Sequence, residues 1–242
     1  MLFLFEFSTW SVKELLAMSS ATNREESVQA WIRTFEELGA LWIYDGDPCP
    51  ENPHALLTSG RHSNGYFNAA NVMHHPKVCR LACQGLVNLL IVDSGGTASF
   101  NRIGSVWGSA MGAITMAHEI AAGLNISTGY TEKGEDGDGQ KVMLAKRFPV
   151  ESVRTTLVVE DVITSFGTTK MTIAALQNGG AKVEPIVLVL VNRSGQTEFD
   201  GFRVMALVER ELPTWEPDEC PYCQAGSKAI RPKENWDKLT GR

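Results

Sequence analysis

Two adjacent carboxylates, Glu160 and Asp161, follow the run Thr156-Leu-Val-Val159 and precede Val-Ile-Thr164-Ser165-Phe166-Gly167-Thr168-Thr169. An apolar strand that leads through a turn of hydroxyl residues and glycine into a helix presents backbone N–H groups and the positive end of a helix dipole. Together these suit a phosphate monoester. The hydroxyls of Thr164, Ser165, Thr168 and Thr169 can add donors. The two acids would repel a phosphate they faced, so they are better suited to accept hydrogen bonds from ribose hydroxyls. A surface turn with a Ser or Thr cap is the plainer alternative; the paired acids directly after a buried strand argue against it.

Other segments carry chemistry with less definition. Val106-Trp-Gly108-Ser109-Ala110-Met111-Gly112-Ala113 has the small residues that let a backbone approach a ligand, or that make a tight strand-to-helix turn. In Leu57-Thr58-Ser-Gly-Arg61-His62-Ser-Asn-Gly-Tyr66-Phe67-Asn68 an aromatic pair beside a glycine-rich turn can stack a flat ring or close a core. Arg193 ends an apolar run, where an arginine is most often a surface charge. The patch Glu132-Lys133-Gly-Glu-Asp-Gly-Asp-Gly-Gln140, followed by Lys146-Arg147, reads as a hairpin turn with a solvated edge or as a lid that excludes water. Cys220-Pro-Tyr-Cys223 is half a zinc site. Cys79 and Cys83, four apart on a helix, could complete it, or serve as small buried residues. His62 lies inside the Ser-Gly-Arg segment, whereas His54, His74, His75 and His118 show no ligand pattern.

Elements must position these groups. Val28, Trp31, Ile32, Phe35 and Leu38 recur on one helical face, predicting a helix over 24–38 with Asn23 and Glu26 at capping-box spacing and Gly39 as its stop. A second helix starts at Pro76. Short apolar runs then alternate with helices: strand 103–107, helix 111–122 closed by Gly123, strand 125–131, segment 141–148, strand 155–160, helix 168–177, and strands 184–191 and 203–208. Continuous apolar strands separated by helices imply a parallel sheet covered on both faces. The chemistry then belongs in the loops beyond the carboxyl ends of the strands, after Trp107, Glu160 and Val191.

The totals limit the classes. A chain of 242 residues, 43% hydrophobic, suits one sizeable α/β domain with appendages. No stretch approaches the ~20 apolar residues of a membrane span. A net charge of -6 without a basic cluster gives no case for nucleic acid. Met1 to Phe7 is apolar, but Glu6 interrupts it and no basic residue precedes it, a poor secretory signal; Met18 is an alternative initiator. Five cysteines are an odd number for a disulfide framework, and the expected location is the cytoplasm.

The segment 158–168 resembles the phosphoribosyl-diphosphate fingerprint of type I phosphoribosyltransferases, and 57–68 is similar to the N-terminal segment of orotate phosphoribosyltransferases. The resemblance extends over roughly residues 38–226. It implies an α/β fold with a mostly parallel central sheet flanked by helices, a small hood subdomain and a flexible loop. The corresponding division is an N-terminal extension at 1–23, a domain at 24–226 with a hood from 40–70 and the C-terminal segment, and a tail at 227–242.

Carried over residue by residue, the resemblance implies that Glu160 and Asp161 hold ribose hydroxyls, and that Thr164, Ser165, Phe166, Gly167, Thr168 and Thr169 cradle the 5′-phosphate. Gly108, Ser109, Ala110, Met111 and Gly112 would form the diphosphate loop, where the family often strains a peptide bond. Tyr66, Phe67, Arg61 and above all Arg193 would read the base. Lys133, Lys146 and Arg147 would be the catalytic cations of the mobile loop. The implied reaction is phosphoribosyl transfer from 5-phosphoribosyl 1-diphosphate to orotate, with Mg2+, in a homodimer. A transferase for another nucleobase and a non-catalytic sensor of the same ligand are the alternatives. The chain departs from the family at Phe166, which is usually Gly, at Thr58, usually Lys, and at Gly112, Lys in some members. The Lys-x-His-Gly loop pattern is absent.

Overall fold

The computed structural model describes residues 24–94 and 101–240. The expectations for 1–23, including the Asn23 cap, lie outside the described residues. In chain order the elements are α1 (Arg24–Glu37), β1 (Leu41–Ile43), β2 (His54–Leu56), β3 (His62–Ser63), β4 (Gly65–Phe67), α2 (Ala69–Met73) and α3 (Pro76–Asp93). There follow β5 (Ile103–Ser109), α4 (Ile114–Leu124), β6 (Ser127–Glu135), β7 (Lys141–Leu144), β8 (Thr155–Ile163), α5 (Gly167–Asn178) and β9 (Lys182–Asn192). The chain continues with β10 (Glu198–Phe199), β11 (Phe202–Glu209), β12 (Thr214–Trp215), α6 (Pro221–Gln224), β13 (Ala229–Ile230) and α7 (Trp236–Thr240).

Seven strands form one sheet in the order β10-β11-β9-β8-β5-β6-β7. Its five central strands, β11, β9, β8, β5 and β6, are parallel, and the two outer strands pair antiparallel. Side chains alternate across the sheet, which divides the core in two. Leu188 and Leu190 of β9 and Leu157 and Val159 of β8 pack with α1, α3 and α4 through Phe35, Leu86 and Met116. Val187, Val189 and Val158 point the other way, onto Ile173 and Leu176 of α5. Burial on both faces explains why these strands read as unbroken apolar runs.

Boundaries move where local contacts intervene. α4 begins at Ile114, later than the pattern predicts, because 110–113 form a loop at the end of β5. Its stop is Asn125, in the left-handed region at φ 54, rather than Gly123.

A smaller sheet, β12-β3-β2-β13, and the antiparallel pair β1-β4 form the hood. Trp42, Ala55, Leu57 and Leu239 are its core, with Tyr44, Tyr66, Ile230 and Trp236 packed against them. Much of 227–242 is therefore woven into the hood: β13 pairs with β2, and α7 supplies Leu239.

One close approach holds the edge of the main sheet. Trp107 and Gly129 are register partners on β5 and β6, and a Cβ at Gly129 would lie 2.6 Å from the Trp107 indole. Gly129→Ala should therefore cost about 1–3 kcal/mol, read as a lower urea midpoint. An unchanged midpoint would show that the indole does not lie against this backbone.

Candidate active site

Strands β5, β8 and β9 are neighbours in the sheet, and Ser109, Glu160 and Arg193 lie toward their carboxyl ends. Glu160 is buried, and the Ser109 hydroxyl lies 2.7 and 2.8 Å from its two carboxyl oxygens. The Asp161 amide donates to Oε1 at 3.2 Å, and the Thr169 hydroxyl to Oε2 at 3.4 Å. Burial, with the Asp161 carboxylate second, pushes the Glu160 pKa up to about 8. Both acids were expected to face a sugar. Instead Glu160 turns inward to bind the neighbouring strand end, and only the half-buried Asp161 remains as a presented carboxylate, its Oδ1 accepting from the Val162 amide at 2.8 Å.

The turn after β8 leaves Thr164, Ser165 and Gly167 exposed. The first amide bond of α5 runs from Lys170 to the Phe166 carbonyl at 2.8 Å. The amides of Gly167, Thr168 and Thr169 thus have no partner among the described residues, which makes an anion-ready helix start. Phe166 sits at φ 62, the left-handed region that favours glycine. Its ring leaves the loop altogether: it stacks on Phe199 at 4.7 Å with the planes 4° apart, buried beside Ile173. The left-handed backbone costs about 1–2 kcal/mol, and burial of an aromatic side chain returns about 1.5–3 kcal/mol. Phenylalanine is tolerated here without narrowing the loop. Thr169 does not join the turn's donors, because its hydroxyl points inward to Glu160.

The loop after β5 meets the acids directly. A Cβ at Gly112 would lie 2.0 Å from Asp161 Oδ2, so a side chain at this position requires the carboxylate to move. The Ala110–Met111 peptide is cis, and Met111 projects with 83% exposure. Ser109 contributes its side chain to Glu160 and the Ala110 amide donates to the Thr131 carbonyl at 2.8 Å, so the amides of Met111 and Gly112 are the ones this loop leaves without a partner among the described residues.

Arg193 is 5% exposed, far from the surface charge that its strand-end position suggests by itself. Its guanidinium donates to Ser63 Oγ at 2.9 Å, to the Leu212 carbonyl at 3.4 Å and to the Gly65 carbonyl at 3.5 Å. Among the described residues no carboxylate pairs with it, and burial lowers its pKa to about 10. Tyr66 lies close by: burial raises its phenol pKa, the Asp161 charge adds to the rise, and Arg193 opposes it. Tyr66 and Phe67 are consecutive on β4 and so face opposite ways. Phe67 packs into the main core against Phe35, with ring centres 4.9 Å apart, and does not line the site. Arg61 faces elsewhere too, bonded to Glu216 at 2.7 Å and to Thr214. Ser63, and Trp236 with its ring 5.9 Å from Tyr66, were not foreseen; no local pattern marks a residue whose role comes from a distant strand.

Residues 127–144 make a β6–β7 hairpin, its tip turned by Asp136 Oδ1 accepting from the Asp138 and Gln140 amides. Arg147 is paired with Glu132 at 3.0 Å. Lys133 and Lys146 are exposed, and no carboxylate of the described residues pairs with either. Cys79 and Cys83 do not join Cys220 and Cys223. They are buried on α3 in the main core, Cys79 with Met73 and Cys83 facing the Met116 carbonyl, whereas Cys220 and Cys223 lie in the hood beside His54 and His62.

A parallel sheet with an acid-bearing strand end, an open helix start and a hood over a buried arginine is the arrangement of a type I phosphoribosyltransferase. The fold agrees with that of orotate phosphoribosyltransferase from Aeropyrum pernix, at a TM-score of 0.54 and 23% identity over 73% of this chain and 92% of that one. No family model matches the chain. The orotate phosphoribosyltransferase of Desulforamulus reducens is 34% identical over 210 residues, which is 87% of this chain and 96% of the relative. That of Pelotomaculum thermopropionicum is 37% identical over 180 residues, 74% of this chain and 87% of the relative. The chain belongs to the orotate phosphoribosyltransferase family.

The buried acid gives this site a pH signature. Glu160 ionises near 4.5 when unfolded and near 8 when folded. The native state therefore holds the extra proton between these values, and stability is full below the lower one and declines as pH rises through the upper. Urea midpoints of the wild type should fall from about pH 5 to about pH 8 relative to Glu160→Gln. Parallel curves would mean that the carboxyl group is ionised throughout.

Proposed function

We propose that the chain transfers the 5-phosphoribosyl group of 5-phosphoribosyl 1-diphosphate to orotate. A bond forms from the base nitrogen to ribose C1 while the C1–O bond to diphosphate breaks, giving orotidine 5′-monophosphate and diphosphate. Arg193 carries the choice of base. A buried guanidinium without a carboxylate partner is costly unless a ligand brings one, and orotate combines a flat ring with a carboxylate that arginine grips in a fork. Tyr66 is the ring neighbour for that base.

The amides of residues 167–169, with the hydroxyls of Thr164, Ser165 and Thr168, suit the 5′-phosphate. Asp161 suits the ribose hydroxyls, and Glu160 acts through it by holding the strand ends together. The amides of Met111 and Gly112 suit the diphosphate. These groups have chiefly to align the reactants, meet the leaving charge and exclude water. Asp161 also fits the way Mg2+ is held, by one or two carboxylates with the remaining positions filled by substrate oxygens and water. When bound, the ion supplies charge neutralisation at the diphosphate.

We place the protein in the cytoplasm, where its five free cysteines would persist, and no helix among the described residues is long and apolar enough to cross a membrane. We further propose a homodimer in which Lys133 and Lys146 serve the partner's diphosphate. Both are exposed, Lys133 on the outer hairpin of the sheet and Lys146 just past its end, and both lack a carboxylate partner among the described residues.

Arg193→Ala should raise the KM for orotate at least about 30-fold, the lower bound for a lost buried charge pair, and leave that for the phosphoribosyl donor nearly unchanged. An equal rise in both, or faster turnover of uracil, hypoxanthine or adenine by the wild type, would overturn the base assignment. Mixing Arg193→Ala with Lys133→Ala protomers should restore activity that neither has alone. Simple averaging of the two weak activities would rule out a shared site.

A further inference from the structure

The side chains of His54, His62, Cys220 and Cys223 converge in the hood, apart from the groups assigned to the reaction. Their four ligand atoms lie within 4.8 Å of one another, and they are the one such group of three or more histidine, cysteine and acidic side chains among the described residues. His54 is on β2, His62 on β3, and Cys220 caps the start of α6 while Cys223 lies within it, so three separate segments supply them. The distances are those of a coordination shell. His54 Nε2 is 3.2 Å from His62 Nδ1, 3.4 Å from Cys220 Sγ and 3.5 Å from Cys223 Sγ, and Cys223 Sγ is 3.3 Å from His62 Nδ1. With Zn–N of about 2.05 Å and Zn–S of about 2.3 Å, a tetrahedron has N···N edges of about 3.3 Å and N···S edges of about 3.6 Å. The two remaining edges both involve Cys220 and exceed ideal values by about 1.2 Å at most.

Proton counting adds a second argument. The Ser227 hydroxyl donates its single proton to the Asn52 carbonyl at 2.7 Å, so in its 2.9 Å contact with His54 Nδ1 it must accept. Nδ1 therefore carries the ring hydrogen, and Nε2 presents a lone pair to the cluster. A second polar group that fixes the tautomer of a ligating histidine is a recurrent feature of metal sites. The Tyr222 ring stacks on the His54 ring at 5.5 Å and packs against Tyr44 and Trp215, which screens His54 from water; Cys223 is half-buried.

We propose that these four residues bind one zinc ion as a closed structural Cys2His2 site. Two nitrogens and two sulfurs in tetrahedral array suit Zn2+, and four protein ligands leave no open position for catalysis. The ion would clamp the C-terminal segment to the strand pair β2–β3. Ser63, next to His62, is the hydroxyl that holds Arg193, so the clamp supports the arginine from outside the reaction site.

The test uses the full chain, with Zn2+ and Co2+ as probes. Protein purified with zinc present and passed over a chelating resin should retain one zinc per chain. Replacement by Co2+ should give the intense visible bands of tetrahedral cobalt and a thiolate-to-cobalt charge-transfer band. Cys220→Ser/Cys223→Ser should abolish both, and Cys79→Ala/Cys83→Ala should keep them. If the first variant fails to fold, the cobalt spectrum of the wild type decides alone. Folded wild-type protein without retained zinc and without the charge-transfer band, or full metal content in a folded Cys220→Ser/Cys223→Ser variant, would overturn the proposal.

Discussion

The buried carboxyl group of Glu160 pins the end of β8 to the end of β5 through the Ser109 hydroxyl. Removing an acid from water is expensive, and burial with the neighbouring Asp161 charge raises the pKa of this one. Because Glu160 is fixed, Asp161 points outward beside Gly112, and the loops after the two strands meet at that contact. Thr169 reaches the same carboxyl group, so the first turn of α5 is tied to it as well.

A second buried charge joins the two parts of the fold. Arg193 leaves the end of β9 and donates to Ser63 and Gly65 of the hood and to Leu212 on the segment leading back to it. Three neutral acceptors take hydrogen bonds from it without cancelling its charge. The site is therefore preorganised for an anion, and the cost is borne by the fold before any ligand arrives. The hood is small and made of strands of two or three residues, so its rigidity must come from elsewhere. The packing of Trp236 and Leu239 supplies some of it, and the His54–His62–Cys220–Cys223 cluster, just behind Ser63, stands where a further tie has most effect.

Phe166 shows how a departure from a family pattern can be absorbed. A side chain in a phosphate-type turn looks obstructive when only neighbours in sequence are considered. In the fold the left-handed backbone swings the ring away from the loop opening and onto Phe199, whose strand β10 lies at the far edge of the sheet. Burial offsets the backbone cost, and the exposed hydroxyls and amides of the turn keep the same surroundings they would have beside glycine.

The sequence by itself determined the parallel sheet, its flanking helices and the loops that carry the chemistry, because continuous apolar runs and 3.6-residue periodicity reflect burial along the chain. It also singled out Arg193, Asp161 and the turn after β8, which the fold brings to the same end of the sheet. Tertiary structure decided which neighbour each side chain meets. It sent Glu160 and Thr169 inward, put Phe67 in the core while leaving Tyr66 at the site, and turned Arg61 to Glu216. It joined Cys220 and Cys223 to His54 and His62 rather than to Cys79 and Cys83. The hood strands were invisible beforehand, since two or three residues are too few to show a period of two. Pairings that span more than a hundred residues, such as Arg193 with Ser63, depend on how the hood closes over the sheet, and no local pattern records that.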